Sequence, residues 1–136
     1  MSWRTLGEAG LPDIVSNNYP NTPLIDRVDH IAIAVSSIAK TVPLFRDALG
    51  GTLMYGGDDR KLGIRSVVYK LANFKIELLE PLSSKSYLAD FIEKHGEGFH
   101  HITMAVDDVQ KTISDLGKSG FEVVDTDLSS RELWKE

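Results

Sequence analysis

Two segments of the chain, residues 30–35 and 101–106, alternate between large apolar residues and small or polar ones. Side chains of a β-strand point to opposite faces in turn, so each segment predicts a strand with one apolar face. The other face carries a histidine followed by small residues, His30 in the first strand and His101 in the second. The histidines are 71 positions apart and hold the same place in a repeat. The pattern predicts two equivalent halves, each presenting a histidine where a ligand has room.

The residues that follow the first strand predict a βαβββ unit. Apolar residues at helical spacing cover 38–49, and Gly50-Gly51 ends that helix. Pro43 indicates either a kink or a helix that begins near it. Three more strands are predicted at residues 52–55, 64–71 and 74–79, separated by turns at 56–59 and 72–73.

A second, shorter unit follows a connecting helix that Ser83-Ser84 opens. Its strand at 101–106 precedes a helix over 109–118, for which Asp107 and Asp108 are the candidate caps. Gly120 ends this helix, and residues 121–124 are predicted to form the next strand.

These elements predict the α+β class, with paired βαβββ modules in a cupped mixed sheet and a second module that is incomplete at the C-terminus. Residues 1–26 form an irregular arm and residues 27–136 one domain. Within it, residues 27–82 form the first module, 83–99 the connecting helix and loop, and 100–136 the partial second module. An unfinished module leaves an open sheet edge, which favours a homodimer or a longer chain that completes the sheet.

Composition narrows the class of protein. Of the 136 residues, 42% are hydrophobic and 26% charged, as in an ordinary soluble domain. The absence of cysteine excludes disulfides and thiolate ligands, and the net charge of −5 argues against nucleic-acid binding. Because no apolar run could span a membrane and no secretory signal is evident, the predicted location is the cytoplasm.

Glu77 is the third candidate ligand. It lies between Ile76 and Leu78 in a strongly apolar strand, and its side chain points to the opposite face from theirs. A buried carboxylate needs a partner, which a metal or the histidines would provide. The alternative is a salt bridge on an exposed face, to Arg65 or in the neighbourhood of Lys75, and the histidines could likewise simply cap their strands.

Three neighbouring residues are weaker candidates. His100 falls on the apolar-face parity or just before its strand, and we expect it to form a hydrogen bond in the loop. His95 is expected to be solvated in a glycine-flanked connector, and Glu80 has the parity of a surface residue.

The paired His-Ile-x-x-x-Val segments in this βαβββ plan resemble the vicinal oxygen chelate superfamily, over residues 27–136. Residues 75–82 and 86–101 are similar to the methylmalonyl-CoA epimerase-like and glyoxalase-like members. The resemblance implies that His30, Glu77 and His101 bind a divalent metal ion, with Zn, Co, Ni, Mn and Mg all left open.

The family pattern is incomplete in two places. A fourth ligand would lie on an eighth strand that these 136 residues do not reach. The family's basic glutamate on the third strand is replaced by Ser66, so the catalytic residue stays unknown.

The implied function is metal-dependent proton transfer next to a thioester carbonyl, through a metal-stabilised enolate, as in methylmalonyl-CoA epimerase. The partners would be a small-molecule substrate, an acyl-CoA for an epimerase, and a second copy of the chain. A glyoxalase I-like lyase and a non-catalytic, drug-sequestering protein of the same fold are the alternatives.

Overall fold

The structure is a computed structural model that describes residues 24–124. It consists of the following strands and helices: β1 (Arg27–Ala34), α1 (Ile38–Val42), β2 (Thr52–Asp59), β3 (Ile64–Leu71), β4 (Phe74–Pro81), α2 (Tyr87–His95), β5 (Gly98–Ala105) and α3 (Val109–Lys118). A π-helical segment, Pro43–Ala48, continues α1. None of the helices in this range is long and apolar enough to cross a membrane.

The described strands form one five-stranded sheet in the order β2-β3-β4-β1-β5. Strand β1 runs parallel to β4 and antiparallel to β5, and the β2-β3-β4 meander is antiparallel. The α+β class and the mixed sheet are therefore confirmed. The two histidine-bearing strands are neighbours, with β1 in the interior of the sheet and β5 at the edge of its described part.

The sheet has two different faces. Val35 packs with Ile38, Tyr69 and Leu78 in a cluster that α1 helps to form, and Ile31 and Ile33 pack against it. On the opposite face, Ala32 and Ala34 pack with Leu79 of β4 and Leu88 of α2. Full burial of a leucine such as Leu88 contributes about 1.5–3 kcal/mol, so α2 is firmly docked over the small residues of β1.

The hairpin between β2 and β3 reverses later than predicted. Gly56 to Asp59 belong to β2 rather than to a turn, and the reversal occupies residues 60–63. A Cβ at Gly56 would lie 2.8 Å from both the Ser66 carbonyl oxygen and a Val67 methyl. The glycine is therefore needed for close approach to β3, a role that the sequence does not distinguish from turn formation.

Helix boundaries show smaller differences. α1 ends at Val42 and a π-helical segment begins at Pro43, as one of the two interpretations of this proline predicted. In that segment the Leu49 amide bonds to the Leu44 carbonyl at 2.9 Å. The π register fits a proline that cannot donate a main-chain hydrogen bond. The N-cap of α2 is Ser86, not Ser83-Ser84, because its hydroxyl accepts a hydrogen bond from the Leu88 amide.

The predicted cap of α3 is confirmed at Asp108, and Gly120 (φ +87°) ends the helix. Residues 121–124 are not part of a strand, so that prediction is wrong. Residues 1–23 of the predicted arm and everything after Val124 lie outside the described residues. The division into an arm and modules stays a prediction.

Glu80 has a structural role that its sequence position does not reveal. Its carboxylate accepts a hydrogen bond of 2.7 Å from the Ile38 amide at the start of α1, and only 22% of the side chain is exposed. The Glu97 carboxylate similarly accepts the Ser36 amide at 2.6 Å. Glu80 is thus a partner of the α1 N-terminus rather than a free surface residue.

Candidate metal centre

Strand register brings the three candidate ligands to one face of the sheet. Ala32 of β1 lies opposite Glu77 on one side and His101 on the other, and His30 is two residues before it. Residues opposite each other in a sheet share a face, as do residues two apart in one strand. One ligand atom from each of His30, Glu77 and His101 lies within 4.8 Å of the others.

The distances suit a small cation. The Glu77 Oε2 atom is 3.1 Å from His30 Nε2 and 3.9 Å from His101 Nε2. Metal–ligand distances of about 2.0–2.2 Å place neighbouring donors of a tetrahedral site roughly 3.3–3.6 Å apart. The observed separations fall on either side of that range, so a small closing movement of His101 would complete it.

The centre is buried at its core and open on one side. Glu77 and His30 are 4% and 1% exposed, whereas 41% of the His101 side chain is exposed. A charged group at the Glu77 position is costly unless cations or hydrogen bonds meet it. Arg65, one alternative partner, instead pairs with Asp58 at 2.7 Å, and the ion pairs of Glu77 are with the two histidines.

The two imidazoles respond oppositely to this environment. Contact with the Glu77 carboxylate raises the pKa of His30, and Asp29 adds to this effect against the opposing influence of burial. Burial lowers the pKa of His101, and the neighbouring His100 lowers it further. In the metal-free protein, His30 therefore holds a proton beside Glu77 more readily than His101 does.

Each histidine presents Nε2 to Glu77 because its Nδ1 is engaged elsewhere. His30 Nδ1 lies 2.8 Å from Asp29 Oδ2, and His101 Nδ1 lies 2.8 Å from His100 Nδ1. Metal-binding histidines commonly use the second ring nitrogen in this way. Strict alternation along the strands gives no indication of these contacts, because both depend on irregularities in the pairing of β1 with β5.

The structure corrects the prediction for His100 and part of that for His95. His100 lies inside β5 rather than in a loop, and its ring centroid is 4.7 Å from that of Phe91 on α2. His95 is exposed as predicted, but it is the last residue of α2, with its ring 4.8 Å from Phe91. Neither residue belongs to the three-residue cluster.

A cavity adjoins the centre. It lies over β2 and β3, and its walls include Tyr55, Asp59, Ser66 and Glu77. Ser66 therefore faces the same space as a candidate ligand, at the position where the family resemblance implies a base. The cavity can place a small polar molecule against Glu77, with the uncharged residue Ser66 on the same wall.

The fold agrees with the comparison with known proteins. The chain belongs to the family described as the Glyoxalase/Bleomycin resistance protein/Dioxygenase superfamily, which it matches over residues 29–133. The resemblance found from the paired histidine motifs is confirmed.

The relatives with similar sequences belong to a smaller group within that superfamily. The chain is 34% identical over 95 residues to mitochondrial methylmalonyl-CoA epimerase of Mus musculus, covering 69% of this chain and 53% of the relative. It is also 34% identical over 102 residues to ethylmalonyl-CoA/methylmalonyl-CoA epimerase of Cereibacter sphaeroides, covering 74% and 76%. It thus spans about half of the first protein and three quarters of the second.

A solved structure shows the same fold with a ligand. Streptomyces coelicolor methylmalonyl-CoA epimerase in complex with 2-nitronate-propionyl-CoA superimposes with a TM-score of 0.69 at 28% identity. The match covers 75% of this chain and 77% of that one.

Proposed function

We propose that this protein is an epimerase of 2-carboxyacyl-CoA thioesters that uses a divalent metal ion held by His30, Glu77 and His101. The observation that carries the proposal is the convergence of two imidazole nitrogens and a carboxylate oxygen within 4.8 Å. The 34% identity to two named methylmalonyl-CoA epimerases supports the choice of substrate class.

The donor set suits a divalent cation in its chemistry as well as its spacing. Imidazole and carboxylate ligands suit Zn, Co, Ni and Mn, while Mg prefers oxygen, so the order of preference is open to measurement. When bound, the ion would supply electrostatic stabilisation of negative charge that develops on a thioester carbonyl oxygen.

The side chains of the chain hold and shape this site. Glu77 is fixed by burial in the middle of β4, between two strands that are paired to it. His30 is held from behind by Asp29, and the docked α2 excludes water from the adjacent part of the face. Rigid ligands on paired strands keep the donor atoms in place without the substrate's help.

The cavity beside Glu77 would take the acyl end of the substrate. Its walls include an aromatic residue, Tyr55, and a hydroxyl-bearing residue, Ser66, which suits a short chain bearing oxygen atoms. A serine hydroxyl is not basic at neutral pH, so Ser66 orients the substrate rather than removing its proton. We assign no general base to the described residues.

The proposed assembly is a homodimer in the cytoplasm. Edge strand β5 has exposed apolar side chains, among them Phe99 at 63% and Met104 at 46%. Such an edge is commonly covered by another strand or another chain.

Proton exchange tests the activity most specifically. The metal-loaded protein is incubated with methylmalonyl-CoA in D₂O, and deuterium incorporation at the carbon between the two carbonyl groups is followed by NMR. We expect metal-dependent exchange that Glu77→Gln reduces by about 100-fold or more, because it weakens the ligand set. Asp107→Ala, an exposed change outside the site, serves as control, and equal exchange in metal-free protein would contradict the proposal.

Ser66 favours one second candidate. A site with ligands but a serine at the base position would suit a protein that binds small molecules without turning them over. Stabilisation of the metal-free protein by a ligand, with no proton exchange in the loaded protein, would support this sequestering function. The glyoxalase I-like alternative would be supported by conversion of a hemithioacetal instead.

A further inference from the structure

The residue before each of the two candidate histidine ligands lies at an irregularity in the pairing of β1 with β5. Val28 pairs with Met104 and His30 with Thr103, which leaves Asp29 as an extra residue. In the same way, Ala32 pairs with His101 and Ile33 with Phe99, so His100 is extra on the other strand. Asp29 and His100 are themselves separated by 71 positions and correspond in the repeat.

A β-bulge reorients the side chain of its extra residue. In a regular strand, neighbouring side chains point to opposite faces and do not meet. Here Asp29 reaches the ring of His30, and His100 reaches the ring of His101. Both bulges therefore produce a contact between consecutive side chains, and in both the contacted atom is Nδ1 of the candidate ligand.

Asp29 is itself held in place. Its Oδ2 lies 2.8 Å from His30 Nδ1, and its Oδ1 lies 3.1 Å from Lys75 Nζ. Lys75 is directly opposite His30 on β4, and its side chain contacts Asp29. Lys75, Asp29 and His30 therefore form a row of contacting side chains. Only 20% of the Asp29 side chain is exposed, which limits the access of water that would compete with these contacts.

The chemistry of a carboxylate then determines how His30 is arranged. An ionised carboxylate accepts hydrogen bonds and donates none, so its partner Nδ1 must carry the hydrogen. The Glu77 carboxylate lies 3.1 Å from Nε2 and attracts a hydrogen there in the same way while no cation is bound. A cation held by Glu77 displaces that hydrogen, and Asp29 then keeps the remaining hydrogen on Nδ1, which leaves the lone pair on Nε2. Asp29 thus selects the form of His30 that can bind a cation.

His100 provides a weaker version of the same contact. A neutral imidazole nitrogen can donate or accept, so the 2.8 Å contact between the two Nδ1 atoms fits either direction of hydrogen bonding. His101 presents an Nε2 lone pair only when His100 accepts. The hydrogen position on His30 is therefore set by a charged partner, whereas the hydrogen position on His101 depends on which of two hydrogen-bonding arrangements it forms with His100.

We infer that Asp29 is a positioning residue that fixes the His30 imidazole for cation binding, and that His100 is its weaker counterpart for His101. The inference deepens the proposed function and rests on His30 and His101 being ligands. Asp29 acts through His30 and is not itself placed against the substrate.

Two measurements test the inference, and the first needs no metal. NMR of ¹⁵N-labelled imidazoles in the metal-free protein, at a pH where they are neutral, reports which nitrogen carries hydrogen. Because Glu77 also attracts hydrogen to Nε2, the comparison is made in Glu77→Gln protein, where we expect His30 to carry hydrogen on Nδ1 and to lose that preference when Asp29→Ala is added. Asp107→Ala removes an exposed aspartate and should leave the His30 spectrum unchanged.

The second measurement is zinc affinity, determined by competition with a chelator. Loss of an outer partner of a metal-binding histidine typically costs about 10–100-fold, and we expect this from Asp29→Ala. His100→Ala should cost less, about threefold to tenfold, because a neutral partner is lost and water can replace it. If Asp29→Ala fails to fold, Asp29→Asn retains the shape and should show the mixed hydrogen positions of an amide partner.

The outcomes separate the two claims. If the wild type binds none of the ions Zn, Co, Ni, Mn and Mg, the proposed function fails, and the NMR measurement alone still decides the role of Asp29. If zinc binds but Asp29→Ala matches Asp107→Ala in both measurements, the positioning role is overturned. A His30 that carries hydrogen on Nε2 in Glu77→Gln protein with Asp29 intact would overturn it as well.

Discussion

The two halves of the candidate site share the His-Ile-x-x-x-Val segment, but the structure holds the first histidine more firmly than the second. His30 lies on a central strand, paired on both sides, and is 1% exposed. His101 lies on the edge strand of the described sheet with 41% of its side chain exposed. A carboxylate holds the first imidazole and a second imidazole holds the other.

This difference indicates that one ligand is fixed and the other adjustable. His30 and Glu77 are buried and Asp29 is partly buried, and His30 lies 2.8 Å from Asp29 and 3.1 Å from Glu77. His101 is 3.9 Å from Glu77 and has space to approach. A repeat in sequence therefore does not guarantee equivalent contributions, since the surroundings of each copy decide how tightly it is held.

The largest effect should come from removing the fixed ligand. His30→Ala leaves the buried Glu77 without its nearest partner, which typically costs about 3–5 kcal/mol for a buried pair. His101→Ala should lower the stability of the metal-free protein by about 1 kcal/mol or less, because that contact is longer and partly solvated. Urea unfolding of the metal-free variants measures both, and equal losses would contradict the comparison.

Making the halves alike is the next test. His100→Asp places a carboxylate at the position that corresponds to Asp29, where it would accept the hydrogen of His101 Nδ1. We expect zinc affinity to rise by about tenfold, the reverse of losing such a partner. Chelator competition measures the change, with Asp107→Ala as reference. An unchanged or lower affinity would show that the bulge alone, and not the charge of the residue in it, orients the histidine ligand.

The halves should also give opposite pH dependences to the metal-free protein. The pKa of His30 is raised by Glu77, so its contribution to stability is complete below about pH 6.5, the unfolded pKa, and is lost as pH rises through the folded pKa. The pKa of His101 is lowered by burial, so its contribution is present above about pH 6.5 and is lost as pH falls toward the folded pKa.

Unfolding free energies measured around neutral pH would separate these contributions. His30→Ala should flatten the decline on the alkaline side, and His101→Ala should reduce the decline on the acidic side. If both variants change the same side of the profile, the two imidazoles are in equivalent environments and the comparison fails.

The smallest effect is expected from the outer anchor of the first half. Lys75→Met removes the 3.1 Å contact with Asp29 but leaves Asp29 against His30. Partly exposed ion pairs contribute about 1 kcal/mol or less, so zinc affinity should fall by about fivefold at most. A loss as large as that of Asp29→Ala would mean that Lys75, rather than the bulge, positions the aspartate.

Much of the fold was predictable because the spacing of apolar residues along the chain indicates which side of each strand or helix is buried. The alternation after His30 and His101 identified neighbouring strands, and the helix after Asp108 has the bounds that its cap and Gly120 indicated. Gly56 was misassigned because glycine serves both turns and close strand contacts. The cap role of Glu80 was missed because it depends on a helix 42 residues away.

For the candidate site, the sequence indicated which residues meet but not how they are held. Parity alone brought His30, Glu77 and His101 to one face, as the register confirms. The contacts of Asp29 and His100 could not be predicted, because a bulge breaks the alternation on which parity depends. An aspartate beside one repeated histidine and a histidine beside the other was the only visible signal.

Metal content of the purified protein tests the central claim most directly. Metal-stripped wild-type protein is incubated with zinc, freed of excess by dialysis, and analysed for metal per chain and for zinc coordination by X-ray absorption. We expect one ion per chain with imidazole nitrogen at about 2.0–2.1 Å. His30→Ala and Glu77→Gln should lose the ion and Asp107→Ala should retain it. Equal zinc content in all four proteins would contradict the account, and so would a wild type that retains none of Zn, Co, Ni, Mn and Mg.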